Sequence, residues 1–294
     1  MRLGYSESDC FSLSLCPTGN VPQKSDTPHI PISAEEIAEQ VLECAELGVT
    51  SVHLHARHQD GSPAWEKERF AEIITPIRKE RPDVVICVTT SGRHHSALEQ
   101  RADVLNLEGQ AKADMASLTL SSLNFSGAAS TNSPKDIQAL AHQMGEVGIV
   151  PELEVFDSGM LNYLFYLEKK GTIGGPFFIN LILGGVATAQ ATPEDLGLLT
   201  SKIPAGSVWN VGGIGRAQLR ANVLGLVSGG GVRVGLEDNL HLDSTRKRLA
   251  SNKELLKRVI DIGDSLERQV MSPTVLRKQL GMPPRPGIGS DAVQ

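Results

Sequence analysis

Histidines at 53 and 55, in the stretch SVHLHAR (51–57), are the residues of this chain best spaced for chemistry. On an extended strand alternate side chains share a face, so both imidazoles project to one side while Val52, Leu54 and Ala56 project to the other. Such a pair suits zinc or another transition metal, but two ligands do not hold an ion, and a third must come from elsewhere in the fold. The plainer alternative is a pair of polar strand residues satisfied by their neighbours, and the spacing alone leaves both open. Turn residues Asp60, Gly61, Ser62 and Pro63 end the strand, and a charged helical segment begins at Trp65.

The strand carrying the pair is one of eight. Short β-type runs occupy 11–16, 51–56, 84–89, 115–120, 151–156, 177–183, 207–211 and 232–236. Between the first two, Ser33 and Glu36 form a capping-box pattern, and Ile37, Val41, Cys44 and Ala45 make an apolar stripe that stops at Gly48, which predicts a helix. Similar helical stretches are expected at 66–79, 97–106, 134–147, 158–169, 193–201, 216–227 and 252–268. Eight strands each followed by a helix, with no compositional break, predict an α/β fold of the (β/α)8 TIM-barrel type in one domain over 1–294. A doubly wound open sheet is the runner-up. From 272 to 294 the pattern gives a short helix and a proline-rich arm, expected to pack on a neighbouring subunit or to fray.

Composition narrows the function classes. The 294 residues suit one barrel of about 250 residues with extensions. A net charge of −6, a pI near 5.8 and the lack of any Lys/Arg-rich block argue against a nucleic-acid surface. Cys10, Cys16, Cys44 and Cys87 follow neither zinc-ribbon nor disulfide-framework spacing, and the first residues carry no signal-peptide pattern. No apolar run approaches the roughly 20 residues of a membrane span. A cytoplasmic location is therefore expected.

A barrel also predicts where a third ligand lies, because catalytic groups of this fold sit at the C-terminal ends of its strands. Closure brings strand eight next to strand one, one place from strand two. Strand eight ends RVGLEDN (233–239), and period two puts Arg233, Gly235 and Glu237 on one face, so Glu237 reaches the rim near His53 and His55. A His-His-carboxylate set with open positions is a catalytic rather than a structural zinc pattern. Other strand ends add hydroxyls and backbone amides around Thr89 and Gly92, then Ser117 with Thr119, and Glu152 with Glu154. Two inward carboxylates need partners or protons, and neutralisation by Arg or Lys is as good an explanation of them as catalysis. The glycine turn at 212–216 precedes a helix where barrels often bind phosphate.

Taken together, Thr18-Gly19-Asn20, IPISAEE (30–36), HLHAR (53–57) with its Asp60-Gly61 turn, PELEV (151–155) with Ser158-Gly159-Met160, Gly213-Ile214-Gly215-Arg216 and RVGLEDN (233–239) resemble the β-keto acid cleavage enzymes, in the same order from about residue 15 to about residue 268. The resemblance implies a zinc-dependent barrel that converts a β-keto acid and acetyl-CoA into acetoacetate and a new acyl-CoA. By motif position it implies Zn2+ on His53, His55 and Glu237, and Asp238 as general base. Arg233 would assist that base or hold the thioester. Thr89, Gly92 and Ser117 would contact the substrate's carboxylate and keto group, and Glu154 is an active-site glutamate. It implies Lewis-acid stabilisation of an enolate after Asp238 takes the C2 proton, attack of the enolate on the thioester, and cleavage of the C–C bond by the released CoA thiolate. A homotetramer is also implied, with the arm after Met282 contributing.

Two departures from the family pattern concern the substrate. Val21 stands where the founding member has an acidic residue for the substrate's amino group, and Thr119 replaces an asparagine. Thr89 keeps the hydroxyl of the founding member's serine, and Ser91 replaces a glycine. Valine offers no acceptor for a buried ammonium, which favours an uncharged acyl tail such as that of a small aliphatic β-keto acid. Arg93, His94 or His95 would instead select a distal carboxylate if one of them reached the same space. Rival readings are an amidohydrolase-like metal hydrolase, which needs further histidines that the chain lacks between His142 and His241, and a non-catalytic metal-binding barrel, which would need no base beside Glu237.

Overall fold

A computed structural model describes residues 10–285. Eight parallel strands close into a barrel: β1 (Leu13–Leu15), β2 (Ser51–Leu54), β3 (Val85–Val88), β4 (Met115–Thr119), β5 (Val150–Val155), β6 (Phe178–Leu183), β7 (Val208–Gly213) and β8 (Gly231–Val234), the last pairing with the first. The helices are α1 (Ala34–Ala45), α2 (Lys67–Glu80), α3 (Leu98–Asp103), α4 (Pro134–Val147), α5 (Ser158–Lys169), α6 (Pro193–Thr200), α7 (Gln218–Val227), α8 (Asn252–Ser265) and α9 (Pro273–Gln279).

The two parities of the strands do different work. One is apolar and wholly buried in the shell between strands and helices, as with Leu13, Val52, Leu54, Ile86, Leu118 and Leu181. The other faces the barrel axis and is largely polar: Ser14, Ser51, His53, Ser117, Glu152, Asn180, Asn210 and Arg233 are all buried. Several of these groups satisfy one another across the lumen, the Ser14 and Ser51 hydroxyls lying 2.6 Å apart and Asn210 Nδ2 donating to Ser14 Oγ at 2.8 Å, whereas neither amide atom of Asn180 has a hydrogen-bond partner. Buried polar groups persist because they are hydrogen-bonded, and this lumen is a network.

Several elements differ from expectation for local reasons. α1 starts at its capping box, Glu36 N–H donating to Ser33 Oγ and Ser33 N–H to Glu36 Oε2. The helical stretch at 97–106 finishes as a 3-10 turn, Val104–Asn106, and that at 216–227 begins after another, Gly215–Ala217. α8 ends at Ser265, since Glu267 turns to a φ of 58°. Strand β8 also stops early, at Val234. Gly235 then packs its bare Cα against the Cys16 carbonyl, where an added Cβ would come within 2.0 Å of the oxygen. Glu237 therefore lies in the turn beyond the strand rather than on its face, held by its N–H donating to Cys16 O at 3.2 Å.

The segment after Met271 does not stand away from the barrel. α9 puts Leu276, followed by Leu280 and Met282, against Val85, Cys87, Met115 and Phe178 at the barrel floor. Arg277 donates a two-pronged pair of hydrogen bonds to Asp114, at 2.9 and 2.7 Å, and Arg78 and Arg285 share the same carboxylate. The remainder of the proline-rich arm, 286–294, lies outside the described residues. Burial alone would raise the pKa of Asp114, but the guanidinium groups of Arg277 and Arg78 outweigh it and hold the carboxyl below its usual range. A carboxyl with a lowered folded-state pKa contributes stability above its unfolded value of about 3.9, and that contribution fades as pH falls through the folded value. Asp114→Asn, which strands buried guanidinium groups, is expected to cost about 3–5 kcal/mol at neutral pH. Thermal melts against pH should then show the gap between the wild type and the variant narrowing below pH of about 4.

Candidate active site

His53 closes β2 from inside the barrel, and His55 comes after it at the rim, where the chain turns into a small hairpin pairing Ala56–Arg57 with Pro63–Ala64. Their Nε2 atoms face each other at 3.2 Å, and His55 Nε2 lies 3.3 Å from Glu237 Oε1. Each Nδ1 has its own acceptor: Glu152 Oε2 at 2.6 Å from His53, and Asn20 Oδ1 at 2.9 Å from His55. When both Nδ1 atoms donate to these acceptors in the neutral rings, both Nε2 lone pairs are left for the space shared with Glu237.

This donor set fits a tetrahedral cation. Donors bound at about 2.0–2.1 Å to a tetrahedral ion are about 3.3 Å apart, which the spacings found here match. Glu237 Oε2 is buried with no hydrogen-bond partner, an unmet valence that a cation satisfies. Nδ1 donation to a carboxylate and to an amide oxygen is the usual outer support of metal-binding histidines. Without a cation, burial lowers the pKa of His55, whereas for His53 the charges of Glu152 and Glu237 overcome burial and push it up to about 9. His53, His55 and Glu237 are one of two three-residue groups able to hold an ion among the described residues; the other, His53 with Cys87 and Glu152, shares a histidine with it.

Arg233, 1% exposed at the end of β8, organises the acidic side of the site. Its Nη2 donates to Glu237 Oε1 at 2.7 Å, its Nε to Asp238 Oδ2 at 3.0 Å, and its Nη1 lies 3.6 Å from Glu154 Oε1. Burial raises the Asp238 pKa, the neighbouring charge of Glu237 adds to this, and Arg233 opposes it; the net direction is up. Glu154 is likewise raised, chiefly by burial, and accepts a hydrogen bond from Thr119 Oγ1 at 2.6 Å. Glu237 goes the other way, because the charges of His55, Arg233 and His53 outweigh its burial. The site therefore holds two firmly ionised carboxylates against the histidines, Glu237 and Glu152, whose pKa the charge of His53 lowers despite burial, and two more basic ones beside them.

Above these groups opens a cavity of about 290 Å³. Thr89, Thr119, Glu154, Arg233, Glu237 and Asp238 line it, as does Val21, half of whose surface is exposed. Ser117 and Gly92 are outside this wall: the Ser117 hydroxyl accepts from the Thr90 N–H at 3.1 Å, and Gly92 lies against Arg101 and the Thr131 carbonyl. Of the three basic residues after Gly92, only Arg93 lines the cavity. His94 is exposed, and His95 faces the Pro63 carbonyl at 3.1 Å.

The loop after β1 holds what sequence reasoning missed. The buried Arg57 guanidinium donates to three carbonyls, those of Gly19 (2.8 Å), Gly61 (2.6 Å) and Pro22 (2.7 Å), and so fixes the turn carrying Asn20 and Val21. Gly19 has a φ of +66°, and an added Cβ would fall 2.5 Å from Glu237 Cγ, so the glycine makes the space in which Glu237 lies. Only the invitation of a Thr-Gly-Asn turn was visible in the sequence. Gly19→Ala is expected to displace Glu237 and weaken divalent-cation binding by about 10–100-fold, as loss of outer support does elsewhere. Calorimetric titration of the refolded apoprotein with zinc measures this directly, and the variant should still melt cooperatively.

Comparison with known proteins shows the family. A family model described as "BKACE: beta-keto acid cleavage enzyme" matches residues 11–282. A "3-keto-5-aminohexanoate cleavage enzyme" of Fusobacterium nucleatum is 36% identical over 261 residues, 88% of this chain and 93% of that protein. A "3-oxoadipate:acetyl-CoA acetyltransferase" of Cupriavidus necator is 34% identical over 278 residues, 92% of this chain and 94% of that protein. Among solved structures, "Ternary complex of ObcA with C4-CoA adduct and oxalate" superposes with a TM-score of 0.77 at 20% identity over 88% of this chain and 68% of that one, a likeness of fold. Since the family match runs through all eight strands and takes in the histidine pair, Arg233, Glu237 and Asp238, the chain belongs to the beta-keto acid cleavage enzyme family.

Proposed function

We propose that this chain condenses a β-keto acid with acetyl-CoA and cleaves the product to acetoacetate and a new acyl-CoA. The observation that carries this reading is the convergence of His53, His55 and Glu237 donor atoms, two of whose residues, His55 and Glu237, line one cavity together with a basic carboxylate, Asp238. Zinc as the ion and a homotetramer as the assembly belong to the same reading. When bound, the ion supplies Lewis-acid polarisation of the keto oxygen.

The remaining roles fall to side chains. Asp238, whose raised pKa makes it a better proton acceptor than an exposed aspartate, takes the C2 proton of the β-keto acid. Arg233 holds Asp238 and Glu237 in register through one rigid fork, so base and ligand keep a fixed separation. Once the C2 enolate has displaced CoA thiolate from the thioester and that thiolate has cleaved the C–C bond at the original keto carbon, Asp238 returns its proton to acetoacetate. Thr89, at the cavity wall, and the Ser91 N–H, which donates to Thr89 Oγ1 at 3.1 Å, shape the end that takes the substrate's carboxylate. Glu154, raised by burial and hydrogen-bonded by Thr119, serves the substrate oxygen on the far side of Arg233.

The test is acetyl-CoA-dependent formation of acetoacetate by purified, zinc-loaded protein over a panel of β-keto acids. No acetoacetate from any of them would refute the assignment. Formation of carboxylate and amine from amide substrates would favour a metal hydrolase. Against that alternative, His142 lies on the outer surface of α4, paired with Glu146 at 3.5 Å.

A further inference from the structure

We propose that Arg93 selects the distal end of the substrate and that this end is a carboxylate, so the chain acts on a β-keto diacid. The inference rests on the function proposed above and names the substrate class of that site.

Three observations carry it. First, the cavity is divided. Glu154, Glu237 and Asp238 gather about Arg233, whereas Val21, Leu123, Phe125, Phe156, Ile182 and Val186 give the wall its apolar part, interspersed with neutral polar groups such as Asn20, Ser91, Ser126 and Ser130. Second, Arg93 is the one basic side chain in that wall without an ion pair within 4 Å among the described residues, the charge of Glu237 reaching it only from farther off, while Arg233 is shared among three. A half-buried guanidinium stays charged, and a charge against an apolar wall without an anion is costly, so a bound anion relieves a cost already present in the empty cavity. Third, the group is oriented. Its Cζ sits 4.2 Å from the centroid of the Phe125 ring, its backbone N–H donates to Ser91 Oγ at 3.3 Å, and none of its guanidinium N–H groups donates to another group among the described residues, which leaves them for a planar carboxylate.

The same wall excludes the alternative charge. An ammonium beside Arg93 would meet Val21 and the guanidinium charge, while Glu237, the carboxylate whose charge reaches Arg93, is already paired with Arg233 and His55. An aliphatic tail would fit the apolar wall but leave Arg93 unanswered. The expectation of a small aliphatic substrate, drawn from Val21 alone, thus gives way to one in which Val21 flanks a methylene spacer and Arg93 grips the carboxylate beyond that spacer.

The experiment compares wild type, Arg93→Met and Arg93→Lys. Each is assayed with a β-keto diacid, a β-keto monoacid of equal length and an amino-substituted analogue, with acetyl-CoA varied separately. The diacid should be preferred by the wild type, and Arg93→Met should lose about 10–100-fold more kcat/KM on the diacid than on the monoacid, the scale of a lost hydrogen bond to a charged group. Arg93→Lys, with a charge but no fork, should fall between. An equal loss on all three substrates, or a loss that appears in the KM for acetyl-CoA, would overturn the proposal, since Arg93 would then serve the common carboxylate or the coenzyme. Wild-type preference for the monoacid or the amino analogue would overturn it too. Should the wild type turn over no β-keto acid, the function proposed above fails and a binding measurement still decides Arg93. Calorimetry of succinate, glutarate and adipate against the matching monocarboxylates should give tighter dicarboxylate binding to wild type than to Arg93→Met, and equal binding by both proteins would refute the role.

Discussion

Glu237→Ala is expected to yield a folded barrel that retains no more than traces of divalent metal and has lost about 10³-fold or more of its acetoacetate-forming activity, the several kcal/mol that a Lewis acid supplies. Glu237 approaches His55 at 3.3 Å and has one oxygen without any partner, so alanine removes a ligand, and the Arg233 Nη2 donor that it frees keeps a longer contact with Asp238 Oδ1 at 3.4 Å. Arg233 keeps Asp238 as its counter-charge. His53→Ala should lose metal as well, but at greater cost to stability, because Glu152 is 1% exposed and loses the imidazole that neutralises it. The two variants therefore separate ligation from folding. Elemental analysis with a thermal melt on each is the check, and full metal occupancy in both would mean that the ligands are other residues.

Asp238→Asn is expected to do the opposite, keeping the metal and losing the chemistry. The asparagine oxygen can still accept from Arg233 Nε, now 3.0 Å from the carboxylate, so Arg233 and its contact with Glu237 stay in place. What disappears is the basic oxygen, and loss of a general base lowers turnover by about 10²–10⁴-fold. Steady-state kinetics with metal content measured on the same preparation gives the answer. Activity near that of the wild type would move the base elsewhere, and Glu154, also raised in pKa and also at Arg233, is the next residue to replace.

The histidine pair was legible because a strand's alternation is local: once 51–56 is a strand, His53 and Leu54 must face opposite sides. The eight-fold order was legible because each strand and helix carries its own pattern and caps. Glu237 was reached by a correct global argument and an incorrect local one, since barrel closure does bring it to β2, yet it arrives through a turn made possible by Gly235 rather than by strand period. Contacts between loops far apart in sequence were not legible. Nothing in HLHAR says that Arg57 will bond the carbonyls of Gly19 and Pro22, or in a Thr-Gly-Asn turn that Gly19 will make way for Glu237. The fate of the segment after Met271 was hidden for the same reason. Its short helix is a local signal, but the apolar floor that receives Leu276 is assembled from strands remote from it. Among Arg93, His94 and His95, only the turn geometry decides which one faces the cavity.

The briefest strand of the barrel is β1, with three residues, and it lies between β8 and β2. It is joined to β8 through three residue pairs and to β2 through two, Ser14 with Ser51 and Leu15 with Val52. This is the seam of the hoop, where the last strand of the chain must find the first. Joining ends so distant in sequence costs loop entropy that no local contact offsets. The three donors for a cation stand on either side of that seam, His53 and His55 at the end of β2 and Glu237 just past β8. A fragment that begins after His55 or ends before Glu237 lacks part of the set, so a cation held by all three would recognise only the closed ring. The binding free energy of such a cation would then be added to closure by mass action, about 4 kcal/mol at a free-ion concentration a thousand times its dissociation constant. Catalysis and the clasping of the barrel would depend on the same three side chains.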